Sequence, residues 1–283
     1  MSSIITELLS QPLGAPESTK QVIDRLPKTG DANATSHAHQ DHATSFDYLD
    51  HYEKDAEAFD YYAPVTDAAT EHEHRRLHET ILRELPTTAQ SVLDIGCGNA
   101  WAAAALTARG KSVVSFDIAS QNLRKALQKV PHPNHFAVRG DVLQLPFKAA
   151  SFDAVISAEV IEHVPHLQGY LDNIIRVLKP GGRAVITTPY DEKIQYSLCI
   201  HCNRQTPLHA HIHSFREDSL NRYLAGRDDV TYRAYGMANK ALVLLRTHPL
   251  LNPLPYRAWS VVDRLANRVI RKPGRLIFVL DKR

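Results

Sequence analysis

The chain has 283 residues, of which 43% are hydrophobic, and a formal net charge of +2 at pH 7. This length can bury a sizeable core in one large domain, and the near-neutral charge does not favour a nucleic-acid-binding or membrane protein. Residues 1–9 lack the basic start and long apolar core of a secretory signal, and runs such as 241–245 are too short to span a bilayer. Three cysteines do not make a disulfide framework, so we expect a reduced, cytoplasmic protein.

Residues 1–45 contain several prolines and glycines and a polar run, and we expect this segment to be poorly structured. Within it, residues 37–42 read His-x-His-x-Asp-His, which is the metal-binding pattern of the metallo-β-lactamase fold. That fold places the pattern directly after a buried strand, whereas residues 28–36 contain no apolar run. A solvated His-rich segment is therefore the favoured interpretation.

Residues 46–85 are predicted to be helical. Aromatic residues alternate with acidic ones in 46–62, which indicates cover over a pocket, although packing into the core explains the pattern equally well. Residues 71–85 carry apolar side chains on one helical face, and Pro86 ends this helix.

A glycine turn follows, at 91–101. A short apolar run leads into Asp94 and the pair Gly96-x-Gly98, and an Ala-rich segment comes after them. This order predicts a buried strand, a tight turn and a helix N-terminus, with glycines that let the backbone approach a ligand closely. The dinucleotide fingerprint would place a third glycine where Ala100 stands, and no Lys-Ser/Thr pair follows, so a phosphate-binding loop is disfavoured.

Apolar runs and helical segments alternate between residues 90 and 188. The predicted strands are 91–94, 112–117, 135–139, 152–157 and 182–188. The predicted helices are 100–109, 120–129 and 163–178. Such alternation indicates an α/β fold with a parallel sheet and helices on both faces. Ligands of such sheets bind beyond the carboxyl ends of the strands, which is where Asp94, Asp117 and Asp141 lie.

Five segments occur in a characteristic order: the glycine turn, Asp117 after the second strand, Gly140-Asp141, 151–164 and 178–189. This series resembles the class I S-adenosylmethionine-dependent methyltransferases, particularly the branch that includes the ubiquinone-biosynthesis methyltransferases. The resemblance covers residues 90 to 190. It implies a Rossmann-like, doubly wound, mostly parallel seven-stranded sheet with helices on both faces, and S-adenosyl-L-methionine as the cofactor.

The resemblance also implies roles at the first two strand ends. Asp94 would orient the glycine turn and the amino group of the methionine moiety. Gly96 and Gly98 would be the close-approach glycines. Asp117 would accept both ribose hydroxyls, and the adjacent Ile118 is counted with the cofactor-binding residues.

At the next strand ends, the resemblance implies that Asp141 accepts the adenine amino group while Val142 packs against the ring. Glu159 would line the methionine and substrate side, and Glu159 and His163 are the predicted catalytic residues. Glu162 and His163 begin a predicted helix, where both can act as capping groups. Two alternatives remain: a divalent cation held by Glu159, Glu162 and His163, as thought for some ubiquinone O-methyltransferases, or His163 as a general base.

The segment 197–215 is rich in cysteine and histidine, and Cys-x2-Cys followed by histidines predicts one tetrahedral zinc. The predicted ligands are Cys199, Cys202, His209 and His211, with His201 and His213 as substitutes. Four ligands from one loop would leave no open position, so the zinc would be structural. The alternative is a pair of free thiols in a His-rich lid.

The last part of the chain contains a predicted helix at 216–224, strands at 230–235 and 275–280, and an insertion at 237–272 between these two strands. The insertion includes a basic helix at 256–271. Such a helix could contact an anionic membrane surface, an acidic substrate or RNA, or it could be a solvated hairpin that caps the domain.

These features predict a domain over 46–283 that transfers a methyl group to an O, N or C nucleophile of a small, partly apolar acceptor. The segments 46–85, 190–215 and 237–272 fall outside the core sheet, and lids of this kind enclose small molecules. Nucleic acid is a disfavoured partner because Ser157-Ala-Glu159-Val replaces the Asn/Asp-Pro-Pro-aromatic motif of base amino methylases. Alternatives are an RNA or protein methyltransferase, a nucleotide-dependent oxidoreductase, or a silent S-adenosylmethionine-binding protein.

Overall fold

An eight-stranded sheet organises the computed structural model, which describes residues 2–10, 21–26 and 47–283. The strands of the chain are β1 (Ile23–Asp24), β2 (Ser91–Ile95), β3 (Ser112–Asp117), β4 (His135–Arg139), β5 (Phe152–Ala158), β6 (Leu178–Pro189), β7 (Tyr196–Leu198), β8 (Gln205–Pro207), β9 (Val230–Asn239) and β10 (Pro273–Lys282). The order in the main sheet is β1-β4-β3-β2-β5-β6-β10-β9, and β7 pairs with β8 in a separate hairpin. Only β10 runs antiparallel to its neighbours in the main sheet.

Helices cover both faces of this sheet. They are α1 (Ser2–Leu8), α2 (Tyr48–Ala58), α3 (Ala68–Glu84), α4 (Trp101–Thr107), α5 (Ser120–Lys129), α6 (Leu167–Val177), α7 (Asn221–Leu224), α8 (Lys240–Leu244), α9 (His248–Leu251) and α10 (Tyr256–Val269). Successive strand residues point to opposite faces of the sheet and belong to two separate hydrophobic clusters. Leu93 belongs to the cluster that includes α1 and α6, whereas Val92 belongs to the one that includes α3, α4, α5 and α10. The central strands are therefore apolar at nearly every position, as a sheet covered on both faces requires.

The predicted Rossmann-like fold class is confirmed, with one more strand than the seven predicted. The extra strand, β1, pairs in parallel with β4 through Ile23 and Asp24 at the sheet edge. Two residues are too few to produce a detectable period. The helix predicted at 163–178 is also shorter, because Pro165 separates a 3-10 turn at Ile161–His163 from α6.

The N-terminal segment is more ordered than predicted where the structure describes it. In α1, Ile5 is 3% exposed, and the following Leu9 is 1% exposed and forms a bridge with Phe147. The spacing of these two apolar residues places them on one side of a helical turn, which packs against the α6 side of the sheet. The His-rich pattern at 37–42 lies outside the described residues.

The C-terminal insertion forms α8, α9 and α10, and α3 anchors it to the sheet. The fully buried Arg76 donates hydrogen bonds to the carbonyl oxygens of Leu251 (2.9 Å) and Leu254 (2.7 Å). Its guanidinium lies 5.1 Å from the ring centroid of Trp259. None of the helices in the described parts of the chain is long and apolar enough to cross a membrane.

Candidate active site

A cleft lies at the carboxyl ends of the central strands, beneath α2. The parallel strands β2, β3, β4 and β5 end at the same edge, so the residues that follow them converge there. Tyr48 and Tyr52 of α2 line the cleft from above, together with Tyr61. The aromatic cover predicted for 46–62 therefore faces a pocket rather than only the core.

The charge of this cleft favours a cationic ligand. Its lining includes Asp55, Asp117 and Glu159, and no Lys or Arg of the described residues is part of that lining. The carboxylates would attract a sulfonium or ammonium group. A nucleotide phosphate would meet like charge from these side chains.

The glycine turn forms the floor of the cleft. Gly96 has φ +67°, and a Cβ built there would lie 2.4 Å from Cγ2 of Val160. Gly98 has φ +46°, and both glycines line the cleft. Ala100, which stands where the dinucleotide fingerprint has a glycine, also adopts a left-handed conformation with φ 57°. The turn thus needs small residues and positive φ at three positions.

Asp94 is 2% exposed, and its Oδ2 has no hydrogen-bond partner among the described residues. Burial, with the nearby charge of Asp117, raises the pKa of this carboxyl to about 8. A buried acceptor without a donor is costly, and an ammonium group would supply both a donor and a positive charge. Asp94 is not among the residues that line the cleft, so its role toward the amino group of the methionine moiety stays a prediction.

Asp117 ends β3 and lines the cleft. Its Oδ1 accepts a hydrogen bond from the backbone N–H of Ala119 at 2.8 Å, which fixes the carboxyl group. Burial raises the pKa of Asp117 to about 6. Ile118 also lines the cleft, and the cofactor contacts of both residues stay predictions.

Asp141 differs from its predicted environment. Its Oδ1 accepts from the N–H of Leu143 (2.9 Å), and its Oδ2 accepts from the hydroxyl of Tyr48 (2.5 Å). The carboxylate therefore already binds α2 and is not among the lining residues, although the adjacent Val142 is. Nothing in the motif around Asp141 indicates this bond, because Tyr48 is 93 residues away in the chain.

Glu159 follows β5 in a left-handed conformation with φ 56°. Its carboxylate accepts from the Thr187 hydroxyl at 2.9 Å and lies 3.2 Å from Nε of Arg275. Arg275 is also 3.3 Å from a carboxylate oxygen of Glu73. Sequence reasoning did not find Arg275, which stands on the last strand, far outside the glycine-turn region.

Three side chains next to Glu159 form a possible cation site. Ligand atoms of Glu162, His163 and His211 all lie within 4.8 Å of one another. Glu162 is 1% exposed, and neither of its carboxylate oxygens has a hydrogen-bond partner among the described residues. Nδ1 of His163 lies 3.3 Å from the Ala210 carbonyl oxygen, and Nδ1 of His211 lies 2.5 Å from a carboxylate oxygen of Glu192.

The two buried groups of this cluster have shifted pKa values. Burial lowers the pKa of His163 to about 4, so the imidazole is neutral at pH 7. Burial and the neighbouring Glu159 raise the pKa of Glu162 well above its usual range. The hydrogen bond to a carbonyl assigns the proton of His163 to Nδ1, which leaves Nε2 as the nitrogen with a free lone pair.

Comparison with known proteins agrees with this geometry. The sequence profile of a family described as "Methyltransferase domain" matches residues 93–186. The mitochondrial ubiquinone biosynthesis O-methyltransferase of Mus musculus is 33% identical over 124 residues, which cover 41% of this chain and 33% of that protein. Residues 93–186 of this chain therefore resemble a methyltransferase domain.

Two further relatives share this methyltransferase domain or its fold. The sterol 24-C-methyltransferase of Candida albicans is 33% identical over 142 residues, which cover 44% of this chain and 35% of that protein. The match thus spans about a third of the length of these curated relatives. Phosphoethanolamine N-methyltransferase 2 of Haemonchus contortus, solved with S-adenosyl-L-methionine, superposes with a TM-score of 0.52 at 20% identity over 74% of this chain and 52% of that one. The last likeness shows the fold alone.

Beyond the methyltransferase domain, the structure does not bring the four predicted zinc ligands together. Among the described residues, only Glu162, His163 and His211 form a cluster with metal-ligand spacing. Cys199 and Cys202 lie in the turn of the β7–β8 hairpin. His211 turns inward instead, because the N–H groups of residues 212 and 213 donate to the Glu162 carbonyl oxygen at 2.9 and 3.3 Å.

The remaining histidines of this loop lie elsewhere. His209 and His201 are exposed, and Nε2 of His213 lies 3.0 Å from the carbonyl oxygen of Val164. The zinc site stays a prediction: the four residues have spacing that fits zinc, and among the described residues the imidazole of His211 clusters with Glu162 and His163.

Proposed function

We propose that this chain is an S-adenosylmethionine-dependent methyltransferase that acts on a small, partly apolar acceptor. The observation that carries this proposal is the charge of the cleft, to which the described part of the chain contributes carboxylates but no Lys or Arg. S-adenosylmethionine carries a sulfonium and an ammonium group and no phosphate. The orphaned oxygen of Asp94 and the crowded Gly96 fit the same ligand.

The acceptor end of the cleft supports the size and polarity of the substrate. Tyr52, Val160 and Val164 give this end apolar walls, and His163 adds one polar group. Relatives of the chain are named for ubiquinone and sterol methylation, and both acceptors are largely apolar.

His163 is the residue that we propose as the proton acceptor. In the proposed step the acceptor heteroatom attacks the methyl carbon, the carbon–sulfur bond breaks with its electron pair passing to sulfur, and the acceptor proton passes to Nε2 of His163. The lowered pKa of His163 leaves this nitrogen unprotonated at pH 7 but also makes it a weak base, so the proposed role rests on the place of His163 in the cleft lining. Glu159, held by Thr187 and Arg275, would position the methyl donor.

Transfer of a radiolabelled methyl group from S-adenosylmethionine to the lipid-soluble fraction of a cell extract tests the function. We expect label in a small lipid-soluble product, and we expect the Gly96→Val variant to produce no such labelled product. Label in RNA or protein would contradict the proposed acceptor class. Binding of S-adenosylmethionine without any transfer would support a silent binding protein instead. We also place the protein in the cytoplasm, in keeping with its three free cysteines.

The orphaned Glu162 carboxylate favours a second role for the cluster, which is to hold a divalent cation. One carboxylate and two imidazoles suit a transition-metal ion or Zn²⁺, and the Glu192 carboxylate on His211 is typical of the support that ligating histidines receive. Such an ion would supply Lewis-acid polarisation of an acceptor oxygen. In that case the lone pair of His163 would bind the ion rather than a proton.

Metal content decides between these two roles. If the cluster holds the ion, elemental analysis of untagged protein will find one ion per chain, and Glu162→Gln with His211→Ala will remove it. The matched control is Cys199→Ser with Cys202→Ser, which should leave the ion in place. Loss of the ion in the cysteine variant would restore the zinc site predicted from the sequence. Metal-free protein with full activity would leave His163 as the proton acceptor.

A further inference from the structure

The C-terminal insertion displays aliphatic side chains that the rest of the described chain does not cover. Besides Ile270, which is 48% exposed, six of them are between 46% and 83% exposed. We call this set the apolar ridge: Leu244, Leu245, Leu250, Val261, Leu265 and Val269. Within α10, the last three recur at every fourth residue, so they follow one face of the helix. Exposed aliphatic side chains gathered in one element mark an interaction surface.

The opposite side of the insertion is fixed to the domain. On α10, Trp259 and Asp263 are buried, 4% and 3% exposed. Asp263 accepts hydrogen bonds from the N–H groups of Ala238 (3.1 Å) and Asn239 (2.7 Å) at the end of β9. These contacts, with those of Arg76, hold the inward face in place. The ridge therefore cannot turn inward without breaking buried hydrogen bonds.

Positive charge accompanies the ridge. Residues 240–272 contain seven Lys and Arg, whereas their single acidic residue is the buried Asp263. Arg257, Arg264 and Arg268 lie at helical spacing beside the aliphatic face of α10. Only Arg271 of the seven forms an ion pair with a described residue, namely Glu217. The outward surface is thus both apolar and cationic.

We propose that the apolar ridge and its arginines dock the protein on a bilayer surface that contains anionic lipids. The aliphatic side chains would enter the boundary between headgroups and acyl chains, while the guanidinium groups would pair with lipid phosphates. RNA would satisfy the arginines but leave the leucines without an apolar partner. A second copy of the chain would bring like charges together. The proposal rests on this surface alone and does not depend on the proposed function.

Vesicle co-sedimentation at low salt tests the proposal. The probes are two kinds of phosphatidylcholine vesicle, one without and one with about 30% phosphatidylglycerol, the anionic lipid of the assay. A short single-stranded RNA serves as a competing ligand. We expect binding to anionic vesicles at least about tenfold tighter than to neutral ones, since each Lys or Arg near an anionic surface contributes about 1 kcal/mol. Leu244→Gln with Leu265→Gln and Val269→Gln should weaken that binding about tenfold or more.

The matched control is Ile200→Gln, which changes a fully exposed aliphatic residue in the β7–β8 turn. Its vesicle binding should equal that of the unchanged chain. Circular dichroism checks that both variants fold, which the exposure of all four positions favours. Equal binding to neutral and anionic vesicles, no binding to either, an unaffected ridge variant, or tighter binding to the RNA than to the anionic vesicles would each overturn the proposal.

Discussion

At the scale of single residues, Gly96 is limited by both its backbone conformation and the space around it. An added methyl group would lie 2.4 Å from Val160 in a left-handed conformation. We expect Gly96→Ala to weaken S-adenosylmethionine binding at least about tenfold, because the turn must shift away from the ligand. Isothermal titration calorimetry measures this change.

Gly226→Ala is the matched control for Gly96→Ala. Gly226 also has a positive φ of +76°, but a Cβ there meets nothing within 4 Å. This variant should lose about 1 kcal/mol of stability from strain alone and keep full cofactor affinity. If both variants bind the cofactor equally well, crowding at Gly96 does not shape the site.

Asp117 gives cofactor binding a pH dependence. Because burial raises the pKa of Asp117 to about 6, its carboxyl is largely protonated at pH 5 and ionised at pH 7.5. In its predicted role, the ionised form would accept hydrogen bonds from both ribose hydroxyls. We expect affinity to rise with pH through this interval, by at most about tenfold per pH unit for one proton. Calorimetry at several pH values checks the slope.

The stability of the cofactor-free protein depends on pH in the opposite direction to cofactor affinity. The folded pKa of Asp117 lies above the unfolded value of about 3.9, so protonation favours the folded state. This contribution is complete below about pH 4 and is lost as pH rises through about 6. Asp117→Asn should flatten both dependences. A slope that survives this change would point to another group, such as Asp94 with its pKa of about 8.

At the scale of elements, α3 carries the C-terminal insertion through Arg76. Replacing this buried side chain leaves the carbonyl groups of Leu251 and Leu254 without their donor. We expect Arg76→Met to lower the free energy of unfolding by about 2–4 kcal/mol in urea titrations. Arg75→Met is the control, because Arg75 is exposed and bonds only the Asn252 carbonyl oxygen. Equal losses in the two variants would show that Arg76 does not anchor the insertion.

At the scale of the whole molecule, the first residues complete the core on the α6 side. Removing residues 1–10 takes away the buried Ile5 and Leu9. We expect a loss of roughly 3–6 kcal/mol in the free energy of unfolding, from about 1.5–3 kcal/mol for each side chain. Cofactor affinity should stay unchanged, since no described residue of α1 lines the cleft. Glu7→Ala, at an exposed position, should change stability by less than about 0.5 kcal/mol.

The central sheet and the cofactor side of the cleft could be predicted because their signals are local. Alternating apolar runs gave the strands and helices, and glycine spacing gave the turn at Gly96 and Gly98. Asp117 was found because it stands directly at a strand end, where parallel strands place their ligand contacts. The short β1 was not predicted, since two residues show no hydrophobic period. The buried α1 was not predicted either, because its two apolar residues do not indicate which surface they pack against.

The amino-acid sequence by itself determined the order of strands and helices, the glycine turn and the acids at the strand ends, because each depends on residues close together in the chain. Only the tertiary structure decided which distant groups meet there. Tyr48 donates a hydrogen bond to Asp141, and Arg275 forms an ion pair with Glu159. His211 clusters with Glu162 rather than with the cysteines. Such pairs depend on how loops and lids fold back over the sheet. The spacing of residues along the chain does not indicate the path that the backbone takes there.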